Sequence, residues 1–217
     1  MKKILALTIL MGLSSFMALA ADDHPFGDLF LGFDYTRANS ATDVPAFSMN
    51  GGAGQFAFNF NKYIGFVAEM GGVHNGNISS NHIDNTFTDY LFGPRVSLRF
   101  SRITPYFQIL FGGGHYSYSE AIVAEPVLSP TQPIYLPGQI APVTSNAPIT
   151  LRAVGSQTAF AMAVGGGLDI KISNHVTYRA IELDYLLSRL QNPVDLQDKN
   201  QNNLRFLTGF DFTFGAR

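Results

Sequence analysis

The sequence contains no cysteine and no tryptophan, and only 14% of its 217 residues are charged. Ordinary globular chains carry about 25% charged residues. Lack of cysteine excludes disulfides, thiolate metal sites and a lipid-modified N-terminal cysteine. A net charge of −2 offers no basic surface to nucleic acid. Mean hydropathy is too mild for a bundle of membrane helices, and no helical period runs through residues 21–217. What the chain has in quantity is aromatic: 19 Phe and 9 Tyr, set at alternate positions.

The N-terminus reads as a secretory leader. Lys2 and Lys3 precede the apolar core Ile4 to Leu13, and Ala18-Leu19-Ala20 forms an A-x-A cleavage signal. An anchoring helix would need about 20 apolar residues, whereas this run meets Ser14, Ser15 and then Asp22-Asp23. Residues 1–20 are therefore expected to be a bacterial-type signal peptide and 21–217 one domain. Loss of Lys2 and Lys3 with the leader takes the net charge from −2 to −4.

Alternation over about ten residues is the mark of a transmembrane barrel strand, because strand side chains point to opposite faces in turn. The last segment, Leu204 to Phe214, shows it best. Phe206, Phe210, Phe212 and Phe214 share one face, and Arg205 and Asp211 share the other. Earlier segments repeat the pattern: 28–37, 51–60, 64–73, 87–100, 105–119, 157–172 and 176–188. In each, the apolar phase carries large side chains such as Phe33, Phe56, Phe58, Phe66, Phe92, Phe107, Phe111, Phe160 and Leu183. The opposite phase collects Asp34, Glu69, Asp89, Arg95, Arg99, Asp169, Lys171, Glu182 and Asp184.

These segments predict an all-β fold: an eight-stranded antiparallel up-and-down barrel. Links after the second, fourth and sixth strands are short; the others are long. Glu120 to Ser156 is the longest and holds six of the 11 prolines, which cannot donate to a ladder. Strict long–short alternation suits a barrel with short periplasmic turns and long outer loops. A soluble sandwich is the alternative, with the same charges solvated, but it explains neither the leader nor the alternation. Placing Lys or Arg at the bilayer midplane costs about 2–4 kcal/mol each, so the charged phase is expected inside and the aromatic phase against lipid. The mixed signs allow pairing, without which burial would cost far more.

Stretches such as LFGPRVSLRF and AVGGGLDIKIS, with the ending FDFTFGAR, resemble the small outer-membrane proteins of the OmpA/OmpX type, in the outer membrane protein beta-barrel domain group. The likeness spans residues 27–217. It implies residence in the cell outer membrane, contact with outer-membrane lipid, and recognition of the last strand by the outer-membrane assembly machinery. Family members usually end on Phe; here Phe214, the matching assembly signal, precedes Gly215-Ala216-Arg217. A peptidoglycan-binding domain, present in larger relatives, has no counterpart in the sequence, and that role is not carried over.

No cofactor or metal is expected. An interior of this size is just filled by side chains, so the default is an ion-paired plug. Inward Gly32, Gly65, Gly93, Ala163 and Gly167 keep a narrow ion or solute conduit open as the alternative. The glycine runs at 112–114 and 165–167 lie in strand patterns without a following helix, so they are not phosphate loops; close packing or bulges are expected there. His74, His82, Asp84 and His115 are too irregularly spaced for a metal site. His115-Tyr116-Ser117 is similar to the His-x-Ser pair of outer-membrane lipid A deacylases, but the third member, a Glu, has no counterpart on the sixth strand. The apolar residues of 120–156, among them Ile122, Val127, Leu128, Tyr135 and Ile140, point either to a surface partner or to a loop folded over the barrel mouth.

Overall fold

The computed structural model describes residues 24–39, 46–78, 83–124, 149–191 and 198–215. Its elements are eight strands: β1 (Gly27–Ala38), β2 (Phe47–Asn59), β3 (Ile64–Ile78), β4 (Ile83–Ser97), β5 (Ile103–Ala124), β6 (Ile149–Lys171), β7 (Val176–Gln191) and β8 (Asp198–Phe214). Each pairs antiparallel with its sequence neighbours, and β1 closes on β8 to complete the barrel. Closure leaves no lipid-facing row of unpaired backbone groups, the condition a sheet must meet to span a bilayer. The leader residues 1–20 lie outside the described residues.

The period of two sets the two faces. On β4, Tyr90, Phe92 and Val96 are exposed on the outside, as is Leu98 just past its end, while Asp89, Leu91, Arg95 and Ser97 are buried inside. Phe33, Phe56, Phe66, Phe92, Phe107, Phe111, Phe160, Leu183, Phe210, Phe212 and Phe214 are exposed on the outer surface. Phe58 and Phe206 are half-buried on the same phase, Phe58 because it stacks edge-on against Phe26 at 4.6 Å.

At the rim that carries the chain ends, the turns are tight and locally capped. Asn61 Oδ1 accepts from the amides of Tyr63 and Ile64 at 2.8 Å each. Ser173 Oγ accepts from the amides of His175 and Val176 at 3.3 and 3.1 Å. These side chains satisfy donors that the turn removes from the ladder.

At the other rim the expected loops are shorter than the sequence suggests, because the strands run on. The polar segment 74–85 is mostly strand, with β3 and β4 paired out to Ile78↔Ile83. The expected loop at 120–156 gives up both ends: β5 and β6 stay paired to Ala124↔Ile149. Likewise β7 and β8 pair to Gln191↔Asp198 within the expected loop 189–203. Beyond the membrane both faces of a strand meet water, so alternation disappears from the sequence while the backbone ladder persists. The proline-rich 125–148 and the loop residues Val127, Leu128, Tyr135 and Ile140 lie outside the described residues.

Candidate functional site

The lumen is the chemically dense region. Among the described residues, eight carboxyl side chains (Asp28, Asp34, Glu69, Asp89, Asp169, Glu182, Asp184 and Asp211) and three guanidinium groups (Arg95, Arg179 and Arg205) are buried there. An isolated buried charge costs several kcal/mol, so such groups persist only when paired and hydrogen-bonded. The pairing is organised around two arginines.

Arg205, fully buried on β8, lies 2.5 Å from Glu69 of β3, 3.1 Å from Asp89 of β4 and 2.7 Å from Asp184 of β7. Arg179, fully buried on β7, reaches Asp169 at 2.9 Å, Glu182 at 2.6 Å and Asp211 at 3.1 Å. Its guanidinium also lies over the Phe30 ring, 4.0 Å from the centroid. A planar guanidinium is suited to both tasks, bonding in its plane and stacking on its face.

Glu182 is the acidic counterpart. It accepts from Arg179, from Tyr106 Oη at 2.5 Å, from Gln108 Nε2 at 2.7 Å and from Gln55 Nε2 at 2.8 Å. Gln55 also donates to Glu69 at 2.6 Å, and its amide oxygen accepts from Arg95 and from Arg179. Arg95 donates further to Gln108 at 2.7 Å and lies 4.4 Å over the Tyr106 ring. Asp34 accepts from Thr36 at 2.9 Å. Many of these bonds join strands that are not neighbours: β2 to β7, β2 to β4, β4 to β8, β5 to β7. They cross the lumen.

Another part of the lumen is apolar. Val67, Leu91, Leu110, Ala163 and Leu186 belong to one buried cluster with Ala57, Val73 and Phe87. The inward glycines do not leave open space, contrary to what their small size suggests in the sequence. A Cβ on Gly32 would meet the Phe30 ring at 2.3 Å, and one on Gly167 would meet Tyr106 Oη at 2.5 Å. Gly114 likewise lies under the Phe87 ring and Gly71 under the Asp89 carboxylate. Each glycine is the seat of a larger neighbour.

Two residues expected in the charge network stand apart from it. Lys171 is exposed at the end of β6, and makes no ion pair among the described residues. Arg99 follows β4 in the turn and is 24% exposed, paired with Asp28 at 3.1 Å. Both keep the inward phase, but Lys171 is the last residue of β6 and Arg99 lies past the end of β4, so they sit in the open mouth. Conversely, Arg179 is missed by alternation, which would put it with Ile181 on the outside. A bulge in β7 corrects this: Leu168 faces Ile181, but Asp169 faces Arg179, skipping Ala180. An arginine on an apparent lipid phase was the one available signal. Gln55, Gln108 and Tyr106 were also missed as network members, since neutral polar residues give no charge pattern.

The histidine groupings resolve simply. His74 Nδ1 bonds Thr86 Oγ1 at 3.0 Å and lies 3.4 Å from Asp84. His115 Nδ1 bonds Thr158 Oγ1 at 2.9 Å on the exposed outer face. His82 lies outside the described residues. The glycine runs lie inside β5 and β6 in unbroken register.

A closed eight-stranded barrel with an aromatic exterior and an ion-paired interior defines a class, the small outer-membrane barrels, and sequence comparison agrees. The outer membrane protein beta-barrel domain family matches residues 6–217. The chain belongs to that family, and its place is the cell outer membrane. No curated protein is a sequence match to this chain. Among solved structures it is similar to Neisserial surface protein A (NspA), with TM-score 0.56 and 11% identity, covering 87% of this chain and 97% of that one. It is also similar to Ail, the attachment invasion locus protein of Yersinia pestis, with TM-score 0.53 and 16% identity, covering 88% of this chain and 99% of that one. Ail bound to the heparin analogue sucrose octasulfate matches with TM-score 0.50 and 15% identity, covering 88% and 99%. At such identities the likeness speaks for the fold.

Proposed function

We propose that this protein is a non-conducting, non-catalytic outer-membrane barrel whose work is done at the outer rim, through structural or surface interaction. The observation that carries the reading is the cross-lumen bonding of Glu182 to Gln55, Gln108, Tyr106 and Arg179. A wall that spends its interior on locking itself together offers a rigid stem. Interaction then falls to what the stem displays, above all the long β5–β6 hairpin, paired out to Ala124↔Ile149, and the segment 120–156 as partner-binding surface. Ail, a relative in fold, takes a heparin analogue; surface binding by this chain is proposed by analogy.

In this reading Phe33, Phe56, Phe66, Phe92, Phe107, Phe111, Phe160 and Phe210 contact acyl chains, and the leader 1–20 is removed after Ala20. Phe214 acts as the signal for the assembly machinery. His115 has no catalytic part: its Nδ1, which an esterase would turn to a carboxylate, bonds Thr158.

The second reading is a narrow conduit, favoured by the excess of buried acids over buried bases, which would select cations. Planar-bilayer recording on refolded protein separates the two. Silent bilayers support the plug; steady cation-selective conductance replaces it with a channel.

A further inference from the structure

At the rim holding the chain ends, the lumen opens into a cavity of about 580 Å³. Its lining includes His24, Arg99, Lys171 and His175, and among the described residues that line it none is acidic. Hydroxyls of Thr104 and Thr177, also on the lining, add neutral donors. This sets the mouth apart from the acid-rich lumen above it.

Two nitrogens there lack partners. Arg99 Nε and His24 Nδ1 are both buried without a hydrogen bond among the described residues. Arg99 is held at its other end by Asp28, 3.1 Å from Nη2, which fixes the guanidinium while leaving Nε unused. The deeper acids Asp169 and Asp211 are bonded to Arg179, and Lys171 makes no ion pair with them. A fixed guanidinium, an ammonium, two imidazoles and hydroxyls lining one open cavity are the donor types that suit an oxyanion with several acceptor oxygens.

We propose that this periplasmic vestibule binds a phosphate group. The group would enter from the periplasm, either as a soluble phosphate or as the headgroup of an inner-leaflet phospholipid. Phe26 and Phe100, exposed at the same rim, place the opening at headgroup level. This inference is independent of what the outer rim binds and of whether the barrel conducts.

The test is calorimetric titration of the full mature protein, refolded in a sugar-headgroup detergent, with inorganic phosphate. Sodium chloride of equal ionic strength is the reference. A saturable one-to-one isotherm is expected, at least tenfold weaker in Lys171→Gln/His175→Gln, whose side chains are exposed. Unchanged heat-modifiable migration on a gel verifies that this variant folds. Repeating the titration with dihexanoyl phosphatidylglycerol below its micelle concentration identifies the source: tighter binding than inorganic phosphate indicates a lipid headgroup, equal or weaker binding a soluble phosphate. Heats that match sodium chloride, or an isotherm the double variant leaves unmoved, would overturn the proposal.

Discussion

Gln55 on β2 donates to Glu182 on β7 at 2.8 Å, joining two strands that share no ladder. The same Gln55 side chain bonds Glu69, Arg95 and Arg179. A neutral amide thus links the two arginine centres. Gln55→Leu keeps the volume and removes every one of these bonds. Each buried polar group left unsatisfied costs about 1–3 kcal/mol, and a loss in that range is expected in urea unfolding of the vesicle-inserted protein. A change below the precision of that experiment would show that the amide is dispensable.

Arg179 meets three carboxylates at once, so its removal strands them together. Arg179→Met should destabilise by about 3–5 kcal/mol, the cost of breaking a buried pair from one side. Arg37→Met is the control. Arg37 is exposed and, among the described residues, its side chain bonds only Ser48, and surface changes usually stay within about 0.5 kcal/mol. Equal effects for the two would contradict the assignment of Arg179 to the lumen.

Charge on the outer belt should be penalised as lipid contact demands. Phe92, midway along β4 and exposed on the outside, is a suitable probe. Phe92→Arg is expected to cost about 2–4 kcal/mol in lipid vesicles.

Packing over the inward glycines predicts intolerance to a single methyl. Gly32→Ala would drive Cβ into the Phe30 ring and the Thr208 carbonyl, at 2.3 and 2.4 Å. Overpacking of this kind costs about 1–3 kcal/mol. Gly72→Ala meets nothing closer than Thr88 Oγ1 at 3.9 Å and should be nearly neutral. The difference between the two, read as unfolding midpoints, tests whether the lumen is filled there.

Much of this architecture is legible in the sequence because a barrel wall is a period-two object. Asp89, Arg95 and Arg205 fall inside and Phe92, Phe107 and Phe210 outside by counting alone. Counting fails where the period does. The β7 bulge moves Arg179 inward, and nothing local in the sequence announces the skipped residue. It fails again past the membrane, where β5 and β6 continue as strands through residues whose two faces share one solvent. The centrality of Gln55 and Tyr106 was hidden for another reason. Their roles depend on partners across the lumen, a third dimension that alternation along one strand does not contain. Inward glycines read as space in the sequence, but the ring, polar side chain or backbone that occupies the place of each Cβ comes from another position.

The aromatic phase is expected to face lipid, and the natural absence of tryptophan makes that contact directly measurable. Phe111→Trp places one indole on the exposed outer belt. In vesicles of acyl-brominated phosphatidylcholine its fluorescence should be strongly quenched, while aqueous acrylamide should have little effect. Fluorescence quenched by acrylamide and indifferent to bromine would contradict the account.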